Sequence, residues 1–194
     1  MRQLELVYRE VLYQAIEKKN RKLTQLELSR KLNISLSIVN KAIKNLSNIG
    51  SVEIHLKNFH VIDIKKILYY WASIRNLQRD IVYKTRVELP VIEIEKSMPN
   101  NIIFTAYSAY KFKFKDVPAD YSEVYVYGDE NLKERFKGDD GVPNLFVLKK
   151  DGYAENYGKI ATRANIFVDL WNLKEWYAKE FVKSVEEHLN GILE

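Results

Sequence analysis

Apolar residues recur every three or four positions through residues 4–19, at Leu4, Val7, Val11, Leu12, Ala15 and Ile16, which predicts an amphipathic helix. The same period returns over 23–50 but is interrupted once. Leu26, Leu28 and Leu32 make one short stripe, and Val39, Ile43, Leu46 and Ile49 make another. Thr24 with Glu27 three residues later has the form of a capping box. Ser35 is a second cap, because its hydroxyl can accept from an unpaired N–H of the first turn. Asn33 separates the stripes and tolerates a left-handed backbone, so the two helices are expected to meet at a tight turn. Gly50 stands where a helix needs a left-handed residue after its last turn.

Past Gly50 the period changes from about 3.6 to 2. Val52 and Ile54 alternate with polar residues, as do Phe59 and Val61, and a hairpin around 56–58 is expected. Two helices at a tight turn followed by such a hairpin read as a winged helix-turn-helix. Asp63 is placed to cap a helix over 64–79 that carries Ile67, Leu68, Tyr70, Trp71, Ile74 and Leu77. The aromatic cluster Tyr69, Tyr70 and Trp71 fits a core or a domain interface better than a base-stacking surface.

The remainder mixes periods. Residues 81–90 read as extended chain, with Pro90 disfavouring helix at Leu89. A short helix over 90–97, a strand over 102–105, a helix over 106–112 and a strand over 123–127 ending at Gly128 follow. Then come a short helix over 131–137, an acidic turn over 138–141, a strand over 144–149 and a hairpin turn at Asp151-Gly152. Two final helices are expected over 164–173 and 174–189, the last with Trp176, Tyr177, Phe181, Val182 and Val185 inward. Strands and helices do not alternate strictly, so the fold class is α+β. The division is a winged helix over 1–64, a connecting helix over 65–84 and an α+β domain over 85–194.

Charge separates along the same line. Residues 1–86 hold 17 of the 31 lysines and arginines and 7 of the 26 aspartates and glutamates, a surplus of ten positive charges. Residues 87–194 hold the other 14 basic and 19 acidic residues, a surplus of five negative charges. A polyanion would be drawn to the first part. There is no cysteine, which removes disulfides, thiolate metal sites and cysteine nucleophiles and fits a cytoplasmic protein. Only three histidines occur, so a histidine-built zinc site is not expected. No run of about 18 apolar residues exists, and the acidic, amphipathic start does not read as a signal peptide.

These features converge on the second helix of the pair. The side opposite its apolar stripe carries Ser37, Asn40, Lys41, Lys44 and Asn45, after Ser35 at the cap. All can donate hydrogen bonds to base edges or phosphates and none is acidic, so double-stranded DNA is the expected partner. At the wing, Lys57 is the better phosphate contact, while His55 and His60 read as exposed loop residues. Lys111, Lys113 and Lys115 alternate with Phe112 and Phe114, which fits either a nucleic-acid contact or a half-buried surface segment. The turn 138–141 lacks the spacing of a calcium loop and reads as solvated. No serine–histidine–aspartate set, glycine-rich phosphate loop or HExxH motif is present.

Residues 4–64 resemble the winged helices of bacterial and archaeal regulators. The later segments 104–110, 117–119 with 123–127, and 167–173 resemble, in order and spacing, the C-terminal domain of AbiEi-type antitoxins. That resemblance implies a DNA-binding autorepressor with a nucleotidyltransferase-like C-terminal domain and a toxin as protein partner. A working nucleotidyltransferase needs a Gly-Ser loop and paired acids; here stand Thr105-Ala106-Tyr107-Ser108, and Glu123 beside Tyr125. Asp169 reads as a buried or capping aspartate. The expectation is therefore a non-enzymatic transcriptional regulator, without cofactor or metal, binding DNA as a homodimer. The alternative is a divergent nucleotidyltransferase acting on RNA or protein.

Overall fold

A computed structural model describes residues 1–138 and 140–193. The amino-terminal part runs α1 (Gln3–Ile16), β1 (Lys22–Leu23), α2 (Gln25–Leu32), α3 (Leu36–Asn48), β2 (Val52–Ile54) and β3 (Phe59–Val61). Each predicted stop and start has its local cause. Thr24 Oγ1 accepts from the Glu27 N–H at 3.1 Å and its hydroxyl donates to the Glu27 carboxylate at 2.9 Å. Asn33 ends α2 at φ 52°, ψ 47°, a left-handed conformation that the Asn side chain tolerates. Ser35 Oγ accepts from the Ile38 N–H at 3.4 Å. Gly50 has φ +66° just past α3. The stripe Val39, Ile43 and Leu46 is fully buried against α1 and α2.

The sheet here has the order β1-β3-β2, antiparallel throughout. Strand β1 was not legible in sequence. Lys22 pairs with His60, and Leu23 pairs with Phe59. Two residues are too few to show a period, and their pairing with β3 makes them a strand.

Helix α4 (Ile64–Ile74) starts as expected, with Asp63 accepting the Lys66 N–H at 2.8 Å. It stops five residues before the expected end at 79. Arg75 leaves the helix at φ −66°, ψ 134° and its guanidinium enters a buried acidic cluster. Trp71 is fully buried and donates from Nε1 to Glu5 at 3.3 Å. Tyr69 meets Phe167 and Trp171 edge-on at 5.3 and 5.2 Å. The aromatic cluster is thus core and inter-element packing.

The rest of the chain builds β4 (Ile81–Thr85), α5 (Val91–Lys96), β5 (Ile103–Thr105), α6 (Ala106–Phe114), β6 (Val124–Gly128), α7 (Leu132–Arg135), β7 (Leu145–Lys149), α8 (Arg163–Trp171) and α9 (Ala178–Leu193). The four strands form one mixed sheet, β4-β7-β6-β5, in which only β6 and β7 are parallel. Strand alternation divides two cores. Val124, Val126, Leu145 and Val147 pack with Ile94 and Leu132 on one face. Tyr125, Tyr127 and Leu148 face α6, α8 and α9 on the other and join a core that continues into α1, α3 and α4. The mixed α+β class holds.

Two expectations need correction here. Asp151-Gly152 is not a hairpin turn: β7 leads into a 3₁₀ turn at Ala154–Tyr157, and Asp151 is claimed by Arg9 of α1. Trp176 is 77% exposed and precedes α9, which begins at Ala178 rather than 174. Of the two readings of the lysine–phenylalanine alternation, the half-buried surface segment fits: Lys111 to Phe114 close α6 half-buried, with Lys115 at its C-cap, where Lys111 pairs with Glu95, Phe112 meets Phe104 edge-on at 4.9 Å, and Phe114 stacks on His188 at 4.5 Å. The acidic turn at 138–141 includes Asp139, which lies outside the described residues.

Candidate nucleic-acid interface

Helix α3 packs on α1 and α2 through Val39, Ala42, Ile43 and Leu46, all buried. The 100° advance per residue therefore turns Ser37, Asn40, Lys41 and Lys44 outward, and all four are exposed. The helix contains no acidic residue. Among the described residues no carboxylate lies within 4.0 Å of Lys41, Lys44 or Lys57. Ser35 is exposed at the N-cap, its hydroxyl oxygen already bonded to the first turn.

Two of the polar side chains differ in what holds them. Asn40 donates from Nδ2 to Gln25 Oε1 at 3.1 Å, and Gln25 is the first residue of α2. Asn45 is half-buried and donates from Nδ2 to the hydroxyl of the fully buried Tyr8 at 3.1 Å. That bond directs Asn45 toward α1 and away from the exposed stripe. Burial pushes the Tyr8 hydroxyl well above the usual tyrosine range, which keeps it neutral.

The wing closes through the His55 N–H, which donates to the Asn58 carbonyl at 2.8 Å. Its tip carries Leu56, 99% exposed, and Lys57. A cavity of about 210 Å³ lies between wing and helices, lined by Thr24, Gln25, Leu26, Leu36, Lys57 and Asn58 among others. The start of α3, the start of α2 and Lys57 therefore share one face. Sequence reasoning missed Gln25 and Leu36. Leu36 continues the 39–43–46 spacing and so reads as core, yet it is 49% exposed at the cavity. No local signal marks Gln25, because its partner is 15 residues away.

This arrangement offers the Asn40 amide and serine hydroxyls along one helix, with cations at its flank and on the wing: donors for base edges and phosphates on one face. Residues 10–53 match the family model of the winged helix-turn-helix DNA-binding kind. The chain carries a winged helix-turn-helix DNA-binding unit. That match spans α1 from Glu10 through to Glu53 in the first wing strand, so it contains α2, α3 and the turn between them. No curated protein and no solved structure gives a significant match to the chain.

The acids considered for nucleotidyl transfer are held apart in function. Asp169 is fully buried and accepts from Thr105 Oγ1 at 2.7 Å, the Tyr127 hydroxyl at 2.6 Å, Asn165 Nδ2 at 2.8 Å and Arg75 Nε at 3.3 Å. Burial pushes its carboxyl up, and these donors oppose that rise. Glu123 instead takes the Tyr177 hydroxyl; burial raises its carboxyl, and the nearby Glu175 adds to the rise. Among the described residues, the two acids share no hydrogen-bond partner. Among the described residues, no group of three or more acids or histidines is placed to hold a metal ion. None of the helices described is long and apolar enough to cross a membrane.

Proposed function

We propose that this protein is a sequence-specific transcriptional regulator that inserts α3 into the major groove and rests its wing on the flanking backbone. The observation that carries the reading is the exposed stripe Ser37, Asn40, Lys41 and Lys44 on a helix without acids, with Lys57 on the same face. Ser37, Asn40 and Lys41 address base edges, and Ser35, Lys44 and Lys57 address phosphates. Asn45 serves the fold through Tyr8. The winged unit binds as a homodimer, with half-sites one helical turn, about 34 Å, apart. The acidic C-terminal part is a nucleotidyltransferase-like fold used for contact rather than chemistry, which the separate engagement of Glu123 and Asp169 supports. An antitoxin-type autorepressor, with a toxin as protein partner, is the form of regulator that the ordered C-terminal segments favour.

Selection of bound sequences from random duplex DNA tests this reading. Enriched inverted repeats are expected. Alanine at Lys44 or Lys57 should each flatten the plot of log affinity against log salt by about 0.9, at every sequence alike. Alanine at Asn40 and Lys41 should erase the sequence preference. Unenriched pools, with unchanged duplex affinity in all these variants, would remove the proposal.

A further inference from the structure

The amide of Asn40 is the one polar group on the exposed stripe whose orientation another side chain fixes. Gln25 Oε1 accepts one of its two N–H groups at 3.1 Å. An asparagine amide has two donors and one acceptor oxygen. With one donor engaged, the amide keeps a second N–H and Oδ1 on a side chain that is exposed to solvent. That donor–acceptor pair is complementary to N7 and the N6 amino group of adenine, which occur together only on the major-groove edge of an A·T pair. It is not complementary to guanine, whose N7 and O6 are both acceptors.

The neighbours support this placement. Asn40 lies in the first half of α3, the half that reaches base edges when such a helix docks. Lys41 and Lys44 extend the same exposed face. Gln25 begins α2, directly after the Thr24 cap, so a helix end anchors the acceptor that orients Asn40. A freely rotating amide would lose side-chain entropy on binding, and one already held loses less.

We infer that Asn40, held by Gln25, reads an adenine in each half-site, with Asn40 as the specificity-determining residue and Gln25 as its positioning residue. The inference rests on the duplex-binding reading above.

The test uses the full chain and a duplex taken from the selection. Wild type should require adenine at one position of each half-site. Replacing that adenine by 7-deazaadenine, which lacks N7, should weaken binding by about tenfold. The Asn40→Ala variant should bind both duplexes alike and accept any base pair there. Gln25→Ala should lower the adenine preference ratio. Gln25→Glu keeps the acceptor and should restore the preference ratio, even though its charge lowers affinity overall. Retained adenine preference in Asn40→Ala, or equal wild-type binding to adenine and 7-deazaadenine, would overturn the assignment. Loss of binding to every duplex would instead count against the regulator reading itself. Unfolding midpoints of the variants separate both results from misfolding.

Discussion

The Arg9 guanidinium and the Asp151 carboxylate form a two-pronged pair, both contacts at 2.8 Å, that ties α1 of the winged unit to the loop after β7. Arg9 is buried, and its guanidinium also lies 4.7 Å from the centre of the Tyr157 ring. The two residues are 142 positions apart, so the pair fixes how the DNA-binding helices sit on the C-terminal sheet.

Removing one partner of a buried pair leaves a charge without compensation, which costs about 3–5 kcal/mol. Asp151→Asn is therefore expected to destabilise the fold by about 3 kcal/mol at pH 7. Burial alone would raise the Asp151 carboxyl, but the hydrogen bond and charge of Arg9 outweigh it and hold the group below the usual carboxylate range. A carboxyl with a depressed folded pKa stabilises fully above its unfolded value of about 3.9 and loses that contribution as pH falls through the folded value. The stability gap between wild type and Asp151→Asn should thus be constant from pH 7 to about 5 and shrink below about 4. Urea unfolding at pH 7, 5 and 3 measures it; a gap that stays the same at pH 3 contradicts the account.

A second charge group is denser. The Arg75 side chain is fully buried and meets Glu5 at 3.3 Å, Asp80 at 2.5 Å and Asp169 at 3.3 Å, with the Tyr127 hydroxyl at 3.3 Å. It joins α1, the chain after α4, β6 and α8. Arg75→Met keeps much of the volume and removes the buried cation shared by three carboxylates, leaving Glu5 with Trp71, Asp80 with the terminal amino group, and Asp169 with Thr105, Tyr127 and Asn165. The expected loss is about 4 kcal/mol, a large share of the roughly 5–15 kcal/mol that keeps a domain folded. Arg75→Lys should fall between, because an ammonium cannot span acids on several sides. Circular dichroism melting ranks the three proteins, and a Met variant that melts with wild type would show that the cluster contributes little.

What the sequence disclosed follows from the range of each interaction. Thr24, Asn33, Ser35 and Gly50 act within a few residues, so the helix-turn-helix is written locally and reads directly. The outward stripe Ser37, Asn40, Lys41 and Lys44 follows from the period of one helix. The features that did not read are those set by distant partners. Strand β1 exists through β3, α4 ends where Arg75 turns toward α1 and α8, and Asp151 answers to Arg9. Asn45 belongs with these. Its helical position puts it at the edge of the polar side, and only Tyr8, 37 residues away, decides its direction.

Gly50 separates backbone strain from crowding. Its φ is +66°, and a Cβ built there would meet nothing nearer than Lys66 Nζ at 3.9 Å. Space is free, so the penalty of Gly50→Ala is conformational, about 1–2 kcal/mol. Gly50→Asn should cost less, since Asn tolerates the left-handed region, as Asn33 does at the end of α2. Thermal unfolding gives the order Gly, Asn, Ala from most to least stable. An alanine variant as stable as wild type would mean that the turn relaxes.

Asn45 and Lys44 are adjacent on α3 and are expected to fail in opposite ways. Asn45→Ala strips the amide from a fully buried Tyr8 hydroxyl. A buried hydroxyl that loses one hydrogen-bond partner and keeps another, here Tyr70, costs about 1 kcal/mol, and duplex affinity measured well below the melting temperature should not change. Lys44→Ala removes an exposed cation without a carboxylate neighbour, so stability should stay within about 0.5 kcal/mol while the salt dependence of DNA binding weakens. Tyr8→Phe sharpens the test. Once the hydroxyl is gone, the further change Asn45→Ala should be nearly neutral, because no buried donor or acceptor is then stranded by it. A double variant in which the two costs simply add would show that Asn45 acts elsewhere. A loss of duplex affinity in Asn45→Ala matching that of Lys44→Ala would return this side chain to the DNA face.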